Sequence, residues 1–248
     1  MDRGLVKAYR TAEDYQRYVV GNPDRTRALT EFYQRHRRHF GRSILDLACG
    51  GGILGSILEP TGRRYLGIDF NHDMIREARN AAAARGSRQR FLLGDAVSAR
   101  IPGQFDTLTL LGNALGHLTA SDMDTLLRHR AANAKEGSTF LIDYRDVVGM
   151  FWRGSWSHGP YIETHKRGKT VHRTRRVDLR RGVILIRARS ASRKWSVDLT
   201  HTIWSPFILE AVMRARGWKL IRRSLGRPGP GARPAIDYWE DVYRFTGA

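Results

Sequence analysis

The stretch from Ser43 to Gly55, Ser-Ile-Leu-Asp-Leu-Ala-Cys-Gly-Gly-Gly-Ile-Leu-Gly, constrains this chain more than any other. Ser43 to Leu47 has the continuous apolar character of a short buried strand, Gly50, Gly51 and Gly52 mark a tight backbone turn, and Ile53 to Glu59 begins a helix. Residues without a side chain let the backbone approach a ligand closely, and the first N–H groups of the following helix face it. The order strand, glycine turn, helix therefore predicts a nucleotide-cofactor loop. The spacing is not Gly-x-Gly-x-x-Gly, and a carboxylate, Asp46, stands ahead of the glycines. An anionic pyrophosphate gains nothing from a carboxylate there, whereas a ligand carrying an ammonium group does.

Further apolar segments follow. Arg64 to Asp69 reads as a second strand ending in an acid, where doubly wound folds set a carboxylate against ribose hydroxyls. Phe91 to Ala96, ending Gly-Asp-Ala, reads as a third strand, and Phe105 to Asn113 as a fourth. An acid plus glycines after the first strand, an acid after the second and Asp-Ala after the third resemble the class I S-adenosylmethionine-dependent methyltransferases, over residues 43–143. The resemblance implies an α/β, doubly wound, Rossmann-like seven-stranded sheet and S-adenosylmethionine as cofactor. It also implies a binding set: Asp46, Ala48, Gly50 and Gly52 at the loop, Asp69 at the ribose, Met74 against the adenine face and Asp95 at the adenine amino group. Phe70, Ala96 and Leu111 join this set at neighbouring strand ends.

Residues 1–42 have amphipathic helical spacing, as in Leu29, Phe32, Tyr33 and Phe40, interrupted at Gly21-Asn22-Pro23-Asp24, with Asp24 the expected helix N-cap. Tyr18 to Thr26 is similar to the Tyr-Ile-Gly…Arg-Thr stretch of glycine and sarcosine N-methyltransferases. That likeness implies that Tyr18 and Arg25 meet the cofactor, Arg25 at the methionine carboxylate. Leu111-Gly-Asn-Ala-Leu-Gly-His-Leu118 resembles the Leu-Gly-Asn-Ser-x-x-His-Leu segment of the same enzymes, and its Gly-His-Leu ending also resembles aminosugar N,N-dimethyltransferases. Asn113 offers a donor and an acceptor where the methyl acceptor belongs, and His117 an imidazole to orient an amine. The fifth strand, Thr139 to Asp143, leads into Tyr144-Arg145-Asp146, and Arg145 stands where those enzymes grip a substrate carboxylate. Asp146, Val147 and Val148 depart from their Asn-Tyr-Asp, so the match at this strand end is partial, with glycine and sarcosine the nearest candidate acceptors.

From Gly149 the pattern alternates, with strands at Thr170 to Leu179, Val183 to Arg189 and Trp195 to Trp204. This predicts an antiparallel β insertion after the fifth strand, residues 149–204, capping the acceptor site, with Phe151, Trp152, Trp156 and Tyr161 expected in its wall. Residues 1–42 then form a helical cap, and 43–148 with 205–248 the cofactor-binding core.

A single cysteine, Cys49, excludes an internal disulfide and a cysteine-built metal site, and no His or carboxylate spacing predicts a metal. No apolar run is long enough for a bilayer and no signal-peptide core follows Met1, so a cytoplasmic protein without a membrane partner is expected. The net charge of +19 attracts polyanions, and 37 of the 43 basic residues are arginine. The sequence thus predicts an N-methyltransferase for a small, amino-acid-like amine. An RNA methyltransferase using the basic surface, an aminosugar or natural-product N-methyltransferase, and a homo-oligomeric state stay open.

Overall fold

The computed structural model describes residues 23–152, 161–165, 168–192, 196–226 and 238–247. Tyr18 and Trp156 lie outside them. The apolar run Ser43–Leu47 is strand β1, buried at every position, and Arg64–Asp69 is β2, buried after its first residue. β3 (Arg90–Leu93), β4 (Phe105–Leu110) and β5 (Ala134–Arg145) complete a parallel set. β10 (Trp218–Leu225) and β11 (Tyr238–Phe245) close a seven-stranded sheet of order β10-β11-β5-β4-β1-β2-β3, with β11 antiparallel to both neighbours.

Continuous apolar strands are buried on both faces. Ile44, Tyr65, Leu141 and Val242 face one core together with Phe32 of helix α1 (Pro23–His36), Leu54 and Leu58 of α2 (Ile53–Leu58) and Ile75 of α3 (His72–Ala84). Leu45, Leu66, Leu108, Phe140 and Ile142 face the other, against Met123 and Leu127 of α4 (Ala120–Arg130) and Leu209 and Met213 of α6 (Pro206–Arg214). The helix starts carry side-chain caps: Asn71 accepts from the Asp73 and Met74 N–H groups, Thr119 and Asp122 form a reciprocal capping box, and Ser205 caps α6 ahead of Pro206. The expected cap Asp24 instead lies inside α1, which begins at Pro23.

The insertion is a separate antiparallel sheet of β6 (Tyr161–His165), β7 (Gly168–Asp178), β8 (Val183–Ser190) and β9 (Ser196–Thr202). It is preceded by a short helix, α5 (Val147–Trp152), a stretch to which the sequence analysis assigned no element. Asp146 explains the difference: its Oδ1 accepts the Gly149 N–H at 2.8 Å, as an N-cap does. Phe151 and Trp152 are exposed, so they do not wall the crevice. Trp204 returns the chain to the core, its indole N–H donating to the Leu118 carbonyl at 2.9 Å.

Asp106 fastens the start of β1 to β4. One carboxylate oxygen accepts from the Arg42 N–H (3.0 Å), the Ser43 N–H (2.9 Å) and the Ser43 hydroxyl (2.8 Å), and the other meets Lys135 Nζ at 2.5 Å. Burial would raise its pKa, but the hydrogen bonds from Lys135 and Ser43 outweigh this and bring it to about 2. Its stabilising contribution is therefore complete above the ordinary carboxylate value and is lost as pH falls through about 2. Replacing Asp106 by Ala is expected to cost about 2–3 kcal/mol of stability at neutral pH, read as a lowered midpoint in urea unfolding.

Candidate active site

A cleft open to solvent lies at the C-terminal ends of β1 and β4, lined among others by Arg25, Asp46, Ala48, Gly50, Leu111 and Gly112. Gly50 has φ +53° and open space where a Cβ would stand, so its backbone is bare toward a ligand. Gly52, at φ +77°, is required for a different reason, since a Cβ there would strike the Phe91 ring. Ala48 adopts φ +57°, a conformation rare for a residue with a side chain, which turns the chain out of β1.

Asp69 ends β2 and joins the two halves of the loop: its Oδ2 accepts the Gly50 N–H at 2.8 Å and its Oδ1 the Asn71 N–H at 2.9 Å. Asp46 accepts from the Tyr65 hydroxyl at 2.5 Å and from Thr109 Oγ1 at 2.6 Å. Burial pushes Asp46 up to about 6, the Thr109 and Tyr65 hydrogen bonds oppose this, and the nearby charges of Asp69 and Asp143 add to the rise. Asp69 is also raised by burial, against its backbone hydrogen bonds and Arg25.

Arg25 reaches the cleft from outside the sheet. Gly112 has φ +78°, and a Cβ there would collide with the Arg25 guanidinium, so this glycine lets the cation lie against the backbone. α1 is held in place at its other end, where Arg35 grips Glu240 of β11 through two hydrogen bonds and His36 Nε2 lies 2.7 Å from the same carboxylate. A guanidinium, a bare glycine backbone and buried carboxylates fit the carboxylate, the chain and the positive charge of S-adenosylmethionine respectively.

The other expected cofactor residues stand beyond the ends of β2 and β3 and are not among those that line this cleft. Met74 and Ala96 are buried, and Asp95 keeps one oxygen on the Val97 N–H at 2.8 Å. β3 ends at Leu93, so Asp95 and Ala96 sit in the following turn rather than in the expected strand. Phe70 packs against Ala188 and Leu199 of the insertion, tying the second sheet to the ribose side.

The residues expected at the acceptor stand past the ends of β4 and β5. Asn113 has φ +59°; its N–H donates to Asp143 Oδ1 at 2.8 Å and its Oδ1 accepts the Arg145 N–H at 3.2 Å. Asp143, absent from the expected site, is raised by burial and steadied by hydrogen bonds from Asn113, Gly112 and Tyr238. His117 ends the 3₁₀ turn Ala114–His117 and meets His201 of β9 edge to face, ring centroids 4.7 Å apart. Sequence reasoning missed His201 and Tyr238. The only signal for the former was its place at the end of an apolar alternation.

Residues 44–137 match a family described as a methyltransferase domain. A ubiquinone biosynthesis O-methyltransferase of Methylococcus capsulatus is 34% identical over 83 residues, 33% of this chain and 35% of the relative. The chain thus matches about a third of the length of that relative. Among solved structures, the CcbJ methyltransferase of Streptomyces caelestis superposes with a TM-score of 0.73 at 17% identity, covering 90% of this chain and 96% of that one. The glycopeptide N-methyltransferase MtfA, solved in complex with S-adenosylmethionine, gives 0.63 at 14% identity, covering 88% and 94%. Over residues 44–137, then, the chain is similar to a methyltransferase domain. Its fold is that of the class I S-adenosylmethionine-dependent methyltransferases. No described helix is long and apolar enough to cross a membrane.

Two predictions follow from the cleft's charges. An ionised Asp46 costs the folded state stability above about pH 6, and that cost fades as pH falls toward the ordinary carboxylate value. Affinity for the positively charged cofactor moves the opposite way, weakening about tenfold between pH 7 and pH 5 by calorimetry, whereas Asp46→Asn gives a flat profile. Replacing Arg25 by Ala is expected to weaken S-adenosylmethionine binding about 10- to 100-fold, with binding of 5′-methylthioadenosine, which lacks the amino-acid end, unchanged.

Proposed function

We propose that the protein is an S-adenosylmethionine-dependent N-methyltransferase acting on a small amine that bears a carboxylate. The observation that carries this reading is the junction of Asn113 and Arg145 at the ends of β4 and β5, one side chain bound to the other's backbone, next to the cofactor cleft. The Arg145 guanidinium offers two parallel N–H donors that fix a carboxylate in orientation as well as charge. Its amine then lies toward Asn113 and the cleft.

S-adenosylmethionine supplies a methyl carbon made electrophilic by its sulfonium. Direct displacement at such a carbon asks the protein for alignment above all. Asn113 is held in its left-handed conformation by Asp143, and Arg145 by Asn113, so the two acceptor-side groups move as one unit. We read the insertion sheet, packed on Phe70, as a wall over this side of the cleft. This walled arrangement supports a small acceptor over a nucleic-acid one.

A second reading, methylation of oxygen, is favoured by the activity in the name of the Methylococcus capsulatus relative. Labelled cofactor offered with glycine, sarcosine, their amides, glucosamine, a catechol and total RNA separates these readings. Arg145→Ala is expected to lower kcat/KM about 30- to 1000-fold on sarcosine, with S-adenosylmethionine affinity unchanged and little effect on sarcosine amide. Equal losses on acid and amide remove the carboxylate clamp, and transfer to catechol alone moves the assignment to oxygen.

A further inference from the structure

Val197, Leu199 and His201 of β9 alternate onto one face of the insertion sheet, paired with Ala188, Ile186 and Ile184 of β8. Ala188, Ile184 and Leu199 are buried, so this is the sheet's inner face, the one that Phe70 touches. His201 therefore ends an apolar row with a polar group that packing does not ask for. Its Nε2 is buried and has no hydrogen-bond partner among the described residues. A buried polar atom left alone destabilises the fold, which calls for a partner supplied by ligand or water.

The position of the ring says which ligand. His201 stands edge to face with His117, and a Cβ on Gly116 would lie 3.5 Å from both His201 Nδ1 and the Asn113 amide nitrogen. The imidazole thus overhangs the turn that carries the two acceptor-side residues, coming from the insertion while they come from the core. We propose that His201 is an acceptor-binding residue, whose imidazole accepts a hydrogen bond from an amine N–H and turns the nitrogen lone pair toward the cofactor methyl group. The inference rests on the N-methyltransferase reading and deepens it.

Burial holds His201 well below its ordinary value, and the groups that face it add to this: His117 in the turn, Arg145 on β5 and His172 on β7. A neutral imidazole is a hydrogen-bond acceptor at neutral pH, and protonating it would set another cation beside Arg145. In the reaction, the amine lone pair forms the new carbon–nitrogen bond while the carbon–sulfur bond breaks, its electron pair staying on sulfur. The ammonium so formed loses its proton to water afterwards. His201 has only to orient the amine, so its low basicity is no handicap.

The test uses the full chain and whichever amine of the panel above is methylated. His201→Phe keeps the ring volume without an acceptor atom, and His201→Gln keeps an acceptor. The expected result is a loss of about 10- to 100-fold in kcat/KM for the amine in the Phe variant and recovery to within a few-fold in the Gln variant. S-adenosylmethionine affinity and the melting temperature report that both variants are folded. Wild-type kcat/KM in the Phe variant, or equal losses in both variants, overturns the role of His201 and leaves the broader reading intact. Should the Phe variant not fold, a Gln variant with wild-type kcat/KM supports the role and one with a loss beyond tenfold overturns it. Absence of transfer to any amine overturns the N-methyltransferase reading, and this inference with it.

Discussion

Three carboxylates buried side by side at the ends of parallel strands set the terms for the rest of this structure. Asp46, Asp69 and Asp143 are each pushed up by burial, and Asp46 also feels the other two. Such a cluster persists only if every member is hydrogen-bonded, and the bonds that satisfy it also shape the site. Asp69 draws in the Gly50 N–H and so folds the glycine turn. Asp143 draws in Gly112 and Asn113 and so bends the chain out of β4. Asp46 bonds side chains of β2 and β4, its two neighbours in the sheet. An acidic pocket in a chain of net charge +19 is then a place where a sulfonium and an ammonium are welcome and a phosphate is not.

The arginine excess has a structural side as well. Arg63 donates to the Gly41 and Phe40 carbonyls and to the Tyr33 hydroxyl, Arg79 to the Phe91 carbonyl, and Arg223 to Asp241, Glu210 and the Pro206 carbonyl. A forked guanidinium ties several groups at once, which the point charge of lysine does not. Arg173, Arg175, Arg176, Arg180 and Arg181 of the insertion, by contrast, are exposed and constitute a basic surface.

What the sequence made legible follows from where each constraint resides. β1 and β2 were readable to the residue because strands buried on both faces are continuously apolar, and the acids that end them stand out against that background. Arg25 was readable only by resemblance, since nothing in its own helix distinguishes it from Arg27; its meaning comes from Gly112, far along the chain. α5 was missed because Val-Val-Gly-Met-Phe-Trp has the composition of a strand, and the deciding cap, Asp146, had been weighed as a substrate-site departure. β4 was read too long because its apolar run continues into a turn that positive φ angles at Gly112 and Asn113 define, and β3 because the reading carried it on through Gly94, Asp95 and Ala96, past its last residue, Leu93. His201 and Tyr238 acquire their place only when distant strands are brought to one edge.

The helix that brings Arg25 is moored by Glu240 to the last strand of the core, whereas the sheet that brings His201 is spliced in after β5. On the proposed reading, donor and acceptor are thus served by two attachments, which meet where Phe70 packs on the inserted sheet. On that reading, a change confined to the spliced sheet alters the acceptor side, while the hold on Arg25 rests on Glu240. That modularity is how one loop of glycines serves many chemistries.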